Sequence, residues 1–297
     1  MKNIFIAGGA GMLGEAFNKV FINEYNLLIT DKDVNETWIK KLDFNFKDEY
    51  EKMVLEFKPD YLFHIGAITD LEFCEKNQQL TYLSNSIAVE TAVKISNQLN
   101  IPLVYISTAG IFDGKKNHYD DWDIPNPINH YGRSKYIGER YVIENSRKYL
   151  ICRAGWMMGA GPQKDKKFVN KIIKQIKDGN KELFVVNDKL GTPTYTIDFA
   201  KNVKLLIEEE EWGLFNLICE GETSRLQVTN EIIKILNLEN KIKINAVSSD
   251  FFKETYFANR PDSEMLIPYK LKIKNLYIMR DWRTSLSEYL SEYYNDF

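Results

Sequence analysis

The chain is expected to fold as an α/β protein, a doubly wound parallel sheet with a smaller C-terminal lobe, and three observations carry that expectation. Through the first half, short apolar runs that read as strands alternate with amphipathic stretches that read as helices. The first run, Lys2-Asn3-Ile4-Phe5-Ile6-Ala7, enters a glycine-rich turn, Gly8-Gly9-Ala10-Gly11-Met12-Leu13-Gly14. After about residue 155 the alternation loosens, and a second lobe is read from there.

Taken in order, strands are expected at 2–7, 26–30, 60–65, 102–107 and 149–153, with a short third strand ending near Leu42. Helices fall between them near 12–24, 46–57, 77–99 and 129–146. Beyond these come a Lys-rich helix near 165–178, a strand at 182–186 and a helix near 196–210. A strand at 213–218, a helix near 225–237 and a final helix near 281–294 complete the reading. The acidic run Glu208 to Glu211 reads as a solvated helix end, stopped by Trp212-Gly213.

Composition narrows the classes. At 297 residues the chain can bury a full core, and its formal net charge of −3 argues against nucleic acid as a main partner. No apolar stretch is long enough to span a bilayer, and the N-terminus runs straight into a strand with no charged leader, so a cytoplasmic protein is expected. Cys74, Cys152 and Cys219 are scattered and lack metal-ligand spacing. They read as small buried hydrophobes in a reducing compartment, and no metal site is expected.

The strand, turn and helix together form a nucleotide-binding layout of Rossmann type. Backbone N–H groups and the positive end of a helix dipole meet at one point, where a pyrophosphate can rest. Gly8 suits the sharp turn, Gly11 lets phosphate approach the backbone near Met12 and Leu13, and Gly14 lets the helix pack close to the sheet. The second strand ends in Asp31, about twenty residues beyond the middle glycine, where a carboxylate can accept from adenosine ribose hydroxyls and repel a 2′-phosphate. NAD(H) is therefore expected; the neighbouring Lys32 leaves NADP(H) open. Asp43 is placed to bond the adenine amino group with Phe44 packed nearby. Gly66, Ala67 and Thr69 follow the strand at 60–65 and let a flat cofactor lie against the backbone. Within that strand His64 reads as a packed core histidine. Residues 1–155, with returning segments near 190–220, are read as the dinucleotide-binding domain and 156–297 as mainly a substrate-binding lobe.

The strand at 102–107 opens into Ser107-Thr108-Ala109-Gly110, and Tyr131-Gly132-Arg133-Ser134-Lys135 follows some two dozen residues later. Tyr131 and Lys135 lie four apart on a predicted helix and project from one face. A phenol is a weak acid near neutrality, and an adjacent ammonium together with a cationic nicotinamide is expected to bring its pKa down toward working pH. The Thr108 hydroxyl can bond the same substrate oxygen. This arrangement suits carbonyl reduction, with Tyr131 delivering a proton and Lys135 holding the nicotinamide ribose.

Together these residues resemble the extended short-chain dehydrogenase/reductase superfamily, and more closely the dTDP-4-dehydrorhamnose reductase family. Gly8 to Gly14 is similar to that family's cofactor turn, and Pro59 to Asp70 with Glu72 and Glu75 resembles its P-D-x-x-(I/V)-x-x-A-A-x-T-x-V-D-x-A-E segment. Ser107 to Gly114 is similar to S-T-D-Y-V-F-D-G, Tyr131 to Lys135 to Y-G-x-S/T-K, and Arg153 to Trp156 to R-T-S-W. Phe168-Val169, Gly191 to Thr194 and Arg260-Pro261 resemble N-F-V, G-x-P-T and R-P.

The resemblance implies reduction of the 4-keto group of a nucleotide-linked 6-deoxyhexose, for surface polysaccharide. Tyr131, Lys135 and Thr108 would be catalytic, while Thr108, Ala109 and Trp156 would lie along the sugar and Arg260 at the nucleotide end of the cleft. The family's Asp-Tyr pair after the threonine is Ala109-Gly110 here, so a carboxylate and a phenol are expected to be missing from the sugar side. Two other activities share this pattern: a sugar-nucleotide epimerase, and a regulatory subunit such as that of methionine adenosyltransferase, which binds the cofactor without turnover. The resemblance also admits a homodimer.

Overall fold

The computed structural model describes residues 1–295. In chain order its first half runs β1 (Lys2–Ala7), α1 (Met12–Phe21), β2 (Tyr25–Asp31), β3 (Ile39–Lys41), α2 (Lys47–Phe57), β4 (Tyr61–His64), α3 (Leu71–Lys76) and α4 (Gln78–Tyr82). A π-helical turn at Leu83–Ile87 leads into α5 (Ala88–Leu99), followed by β5 (Leu103–Thr108), α6 (His130–Asn145) and β6 (Tyr149–Ala154). The second half holds β7 (Trp156–Met158), α7 (Gly161–Lys164), α8 (Phe168–Lys177), β8 (Glu182–Val186), β9 (Leu190–Gly191), β10 (Pro193–Tyr195) and α9 (Thr196–Glu208). Then come β11 (Gly213–Leu217), β12 (Thr223–Ser224), α10 (Arg225–Ile235), β13 (Lys243–Val247), α11 (Tyr269–Lys274) and α12 (Trp282–Tyr293).

Seven parallel strands make the central sheet in the order β11-β6-β5-β4-β1-β2-β3. Its strands are near-continuous apolar runs because both faces are covered. Along β1, Ile4 and Ile6 join Phe17 and Phe21 on one face, whereas Phe5 and Ala7 join Leu62, Tyr105 and Ile151 on the other. The chain leaves β1 for β2 on one side and later returns to β4 on the other, so a crevice opens where β1 and β4 end. The C-terminal end of every strand from β1 to β6 borders that crevice or its extension.

Two expected helices differ in detail. The stretch at 77–99 carries the π-helical turn, because Asn85 is fully buried there and spends its amide on neighbours outside the helix. The helix expected near 165–178 is the single helix α8 and starts later, at Phe168, because Asp165 accepts from Lys167 N–H at 2.7 Å and from the Tyr289 hydroxyl at 2.8 Å. The short pairs β7 with β10 and β9 with β12, and the parallel pair β8 with β13, lie outside the main sheet. The expected strand at 213–218 is β11, which re-enters the main sheet beside β6. All three cysteines are free and buried. No helix among the described residues is long and apolar enough to cross a membrane.

Candidate active site

The glycine turn stands at the end of β1. Gly8 and Gly9 N–H both donate to Thr30 O, at 2.8 and 3.0 Å, which ties the turn to β2. Gly8 has φ +86°, and a Cβ there would lie 2.1 Å from the Gly66 Cα, so the two strand ends meet only because both are glycine. Over Gly11 the space is open: a Cβ added there meets nothing within 4 Å. Gly11 caps α1 with no side chain, and the first intrahelical bond is Glu15 N–H to Gly11 O, so the N–H groups of Met12, Leu13 and Gly14 precede it. This is a cradle for phosphate, and it fits a dinucleotide.

Asp31 braces that cradle. Its Oδ2 accepts from Ala10 N–H and its Oδ1 from Asp33 N–H, both at 3.0 Å, and burial raises its pKa against those bonds. Each oxygen keeps a second lone pair for a ribose hydroxyl. Lys32 beside it is exposed. Phe44 lies under the turn, edge-on to His64 with ring centroids 4.9 Å apart, and Asp43 Oδ1 accepts from Asn45 N–H. His64 is buried, bonded through Nδ1 to the Tyr50 hydroxyl, and pushed down to about 3 by burial, so it is a neutral core group as expected. Beyond Gly66 and Ala67, Thr69 Oγ1 accepts from Lys167 Nζ at 2.8 Å.

The helix that carries Tyr131 and Lys135 is fixed at several points. Asn129 caps it, its Oδ1 accepting from Gly132 N–H at 2.7 Å. A Cβ on Gly132 would stand 2.3 Å from Gly110 O, so only glycine allows α6 to press against the turn after Thr108. Asn85, from the π-helical turn, bonds Ile68 N and O on one side and Ser134 Oγ on the other, at 2.8 to 3.0 Å. It thereby ties the segment after β4 to the helix that carries Tyr131. Nothing in the local pattern marked Asn85; a buried amide in an amphipathic stretch is its only signal.

Burial sets the protonation states. Tyr131 is pushed up to about 12, chiefly by burial and then by the Glu264 carboxylate, against the pull of a hydrogen bond from Thr108. Lys135, buried with its Nζ 4.2 Å from the Tyr105 ring centroid, is lowered to about 7 by desolvation, which the Glu139 carboxylate opposes. Among the protein's own groups, desolvation outweighs the expected help from the ammonium: the phenol keeps its proton while the lysine sheds its own near neutrality, and any depression of the phenol falls to the cationic nicotinamide. The sign for stability follows. Unfolded Lys135 holds its proton up to its ordinary 10.5, so between about pH 7 and that value the unfolded chain binds more protons and this group makes stability rise with pH. We expect the melting temperature to rise from pH 6.5 to pH 9 at about 25 mM salt or above, and Lys135→Met to flatten that rise; an equal slope in both proteins would refute it.

On the far wall, Trp156 is held by its indole N–H, which donates to Glu264 Oε2 at 2.7 Å, and by its backbone N–H, which donates to Thr192 O at 3.0 Å. The Arg225 guanidinium stacks on the Trp156 ring at 4.2 Å and on Phe168 at 4.6 Å. Arg225 opens α10, whose Ser224 and Gln227 form a capping box. Arg260 bonds Glu72 at 2.8 and 2.9 Å and its own loop at Ala258 O.

Two expectations about this wall change. Ala109 is 1% exposed and packs with Ile111, Phe112 and Tyr119, so Gly110 rather than Ala109 faces the site. The wall beside Thr108 does hold a carboxylate: Glu264, from the segment after Arg260-Pro261, stands beside Gly110, Thr108 and Tyr131. Glu264 and Arg225 went unread because their place in the site depends on long-range contacts, Leu190 N–H to Asp262 O and Glu264 N–H to Leu190 O, at 2.8 and 2.9 Å. Among the described residues no group of His, Cys, Asp and Glu side chains could hold a metal ion.

A family model described as RmlD substrate binding domain matches residues 1–295. The chain is 27% identical to the spore coat polysaccharide biosynthesis protein SpsK of Bacillus subtilis (strain 168), covering 98% of each. A crystal structure of a dTDP-4-dehydrorhamnose reductase from Clostridium acetobutylicum superposes with a TM-score of 0.89 at 30% identity, covering 98% of this chain and 99% of that one. The dTDP-4-dehydrorhamnose reductase of Bacillus anthracis in complex with NADP superposes with a TM-score of 0.88 at 28% identity, covering 98% of this chain and 99% of that one.

Proposed function

Since the chain belongs to the RmlD substrate binding domain family, a branch of the extended short-chain dehydrogenase/reductases, we propose that it reduces the 4-keto group of a nucleotide-linked 6-deoxyhexose in surface polysaccharide synthesis. The observation that carries this reading is the meeting of Thr108 and Tyr131 at one spot: a Cβ on Gly110 would stand 3.5 Å from both Thr108 Oγ1 and Tyr131 Cε1. That spot lies at the end of β5, with β4 between it and the strand that leads into the glycine cradle. Burial favours the protonated phenol, which suits proton donation to a ketone.

A bound nicotinamide supplies the hydride for the carbonyl carbon. The chain's own residues do the rest. Gly8, Gly11, Met12, Leu13 and Gly14 hold the diphosphate, Asp31 takes the ribose hydroxyls, and Gly66, Ala67 and Thr69 line the floor beside Asp43 and Phe44. Thr108 donates to the ketone oxygen and steadies its developing charge. Tyr131 Oη gives that oxygen its proton, and Lys135 turns toward the ribose. Trp156 forms a wall of the sugar pocket. Arg225, stacked on the Phe168 ring, and Arg260, stacked on the Tyr256 ring, suit the diphosphate of the sugar nucleotide. In this reading residues 1–155 with the returning segments near 190–220 serve the cofactor, and 156–297 mainly the sugar. Three free, buried cysteines suit the reducing cytoplasm.

The test is a panel of dTDP-, UDP-, GDP- and CDP-linked 4-keto-6-deoxysugars followed by loss of reduced cofactor. One equivalent consumed per product is expected, with NADH preferred over NADPH because the Asp31 carboxylate stands where a 2′-phosphate would lie. Product formed without net cofactor consumption would replace the reductase by an epimerase. Cofactor binding with no turnover of any ketone would leave a regulatory role.

A further inference from the structure

Three side chains from distant parts of the chain converge on one spot. A Cβ placed on Gly110 would stand 3.4 Å from Glu264 Oε1, 3.5 Å from Thr108 Oγ1 and 3.5 Å from Tyr131 Cε1. Glu264 is anchored on both sides of that approach. Its backbone N–H donates to Leu190 O at 2.9 Å, and its Oε2 accepts the Trp156 indole N–H at 2.7 Å. The remaining oxygen, Oε1, is the one directed at the spot shared with Thr108 and Tyr131.

Resting on the ketoreductase reading, we propose that Glu264 reads the substrate: Oε1 accepts a hydrogen bond from the hydroxyl on the ring carbon next to the ketone, while Oε2 keeps the Trp156 indole in place. Thr108 and Tyr131 claim the ketone oxygen, so the group that reaches Oε1 is the substituent one carbon along the ring. A carboxylate only accepts, and a hydroxyl can donate to it in a charge-assisted bond. A ketone that lacks the hydroxyl leaves Oε1 desolvated and unpaired, which penalises that analogue more than a neutral wall would.

The same carboxylate acts on the proton donor. The groups that bear on Tyr131 are Glu264 from the C-terminal segment, Cys74 from α3 and Thr108 from β5. Of these, Glu264 and Cys74 oppose ionisation of the phenol while Thr108 favours it, and Glu264 also bears on the Arg225 guanidinium that stacks on the Trp156 ring. Glu264 therefore couples recognition of the hydroxyl to retention of the proton that the ketone receives.

The experiment compares kcat/KM for a 4-keto-6-deoxyhexose nucleotide with that for its analogue lacking the hydroxyl next to the ketone, in the unaltered protein, Glu264→Gln and Glu264→Leu. Cofactor titration verifies folding of each variant. We expect the preference for the hydroxylated ketone to fall by about tenfold in Glu264→Gln and about 100-fold in Glu264→Leu. The alkaline limb of the pH profile should also move to lower pH in Glu264→Gln, a change that loss of Trp156 packing alone does not produce. A preference that stays the same in both variants overturns the inference and leaves the reductase standing. Failure of the unaltered protein to reduce either ketone overturns the reductase reading, and this inference with it.

Discussion

Replacing Tyr131 with phenylalanine should lower turnover by about 10²- to 10⁴-fold while leaving cofactor affinity nearly unchanged. The ring stays, so its packing against Gly110 and the cap of α6 is retained. What goes is the one O–H placed beside Thr108 that is held protonated across the physiological range. The alternatives near the ketone are weak donors: the Thr108 hydroxyl is a poor acid, and the Glu264 carboxylate is an acceptor with one oxygen already engaged by Trp156. Cofactor binding rests on the cradle at α1 and on Asp31, which sit at the end of neighbouring strands and do not touch the phenol. Single-turnover rates with a ketone that the unaltered protein reduces, set beside quenching titrations with NADH, separate the two effects. Turnover within about threefold of the unaltered protein would remove Tyr131 from the chemistry.

The second large effect is on stability. Glu139→Gln should cost about 3–5 kcal/mol, read as a shift of the denaturant midpoint. Glu139 on α6 and Arg153 on β6 form a two-bond pair, Nη2 to Oε1 at 2.6 Å and Nε to Oε2 at 3.1 Å, with side chains 1% and 4% exposed. The glutamine keeps the shape and one acceptor but removes the carboxylate that pairs with the Arg153 guanidinium in the interior, 5.3 Å from the Phe112 ring, and leaves it only the longer-range charges of Asp121 and Asp123. Replacing both partners by methionine should restore most of the loss, because neither member of the pair is then left without the other. Glu139 is also the group whose charge opposes the desolvation of Lys135, so the variant should titrate Lys135 lower still and move the pH window of its stability downward. A midpoint unchanged in Glu139→Gln would mean the pair is not the buried anchor described here.

What could be read from the residues follows a physical divide. The sheet was legible because its strands are apolar on both faces and its turns are marked by glycine, and the cradle was legible for the same reason. Tyr131 and Lys135 were legible as a helical i, i+4 pair. Their protonation was not, since desolvation depends on what is packed above them, and that includes Glu264 from the far end of the chain. Asn85 was hidden within one amphipathic stretch, where a widened turn looks like ordinary helix. Strands of two or three residues such as β9, β10 and β12 carry too little pattern to announce themselves, yet β9 is what holds Glu264 at the site.

The return of β11 to the main sheet bears on how the protein is made. During synthesis β6 pairs with β5 as soon as both have emerged, but its other edge waits for Gly213–Leu217. At about 5–20 residues per second the ribosome takes about 3–12 s to supply them. For that interval the nascent chain presents an interior strand, Tyr149–Ala154, as an open edge able to pair with any neighbouring chain. Slow translation between residues 155 and 212 is therefore where aggregation of the growing polypeptide is most to be guarded against, and where co-expressed chaperones should improve yield most.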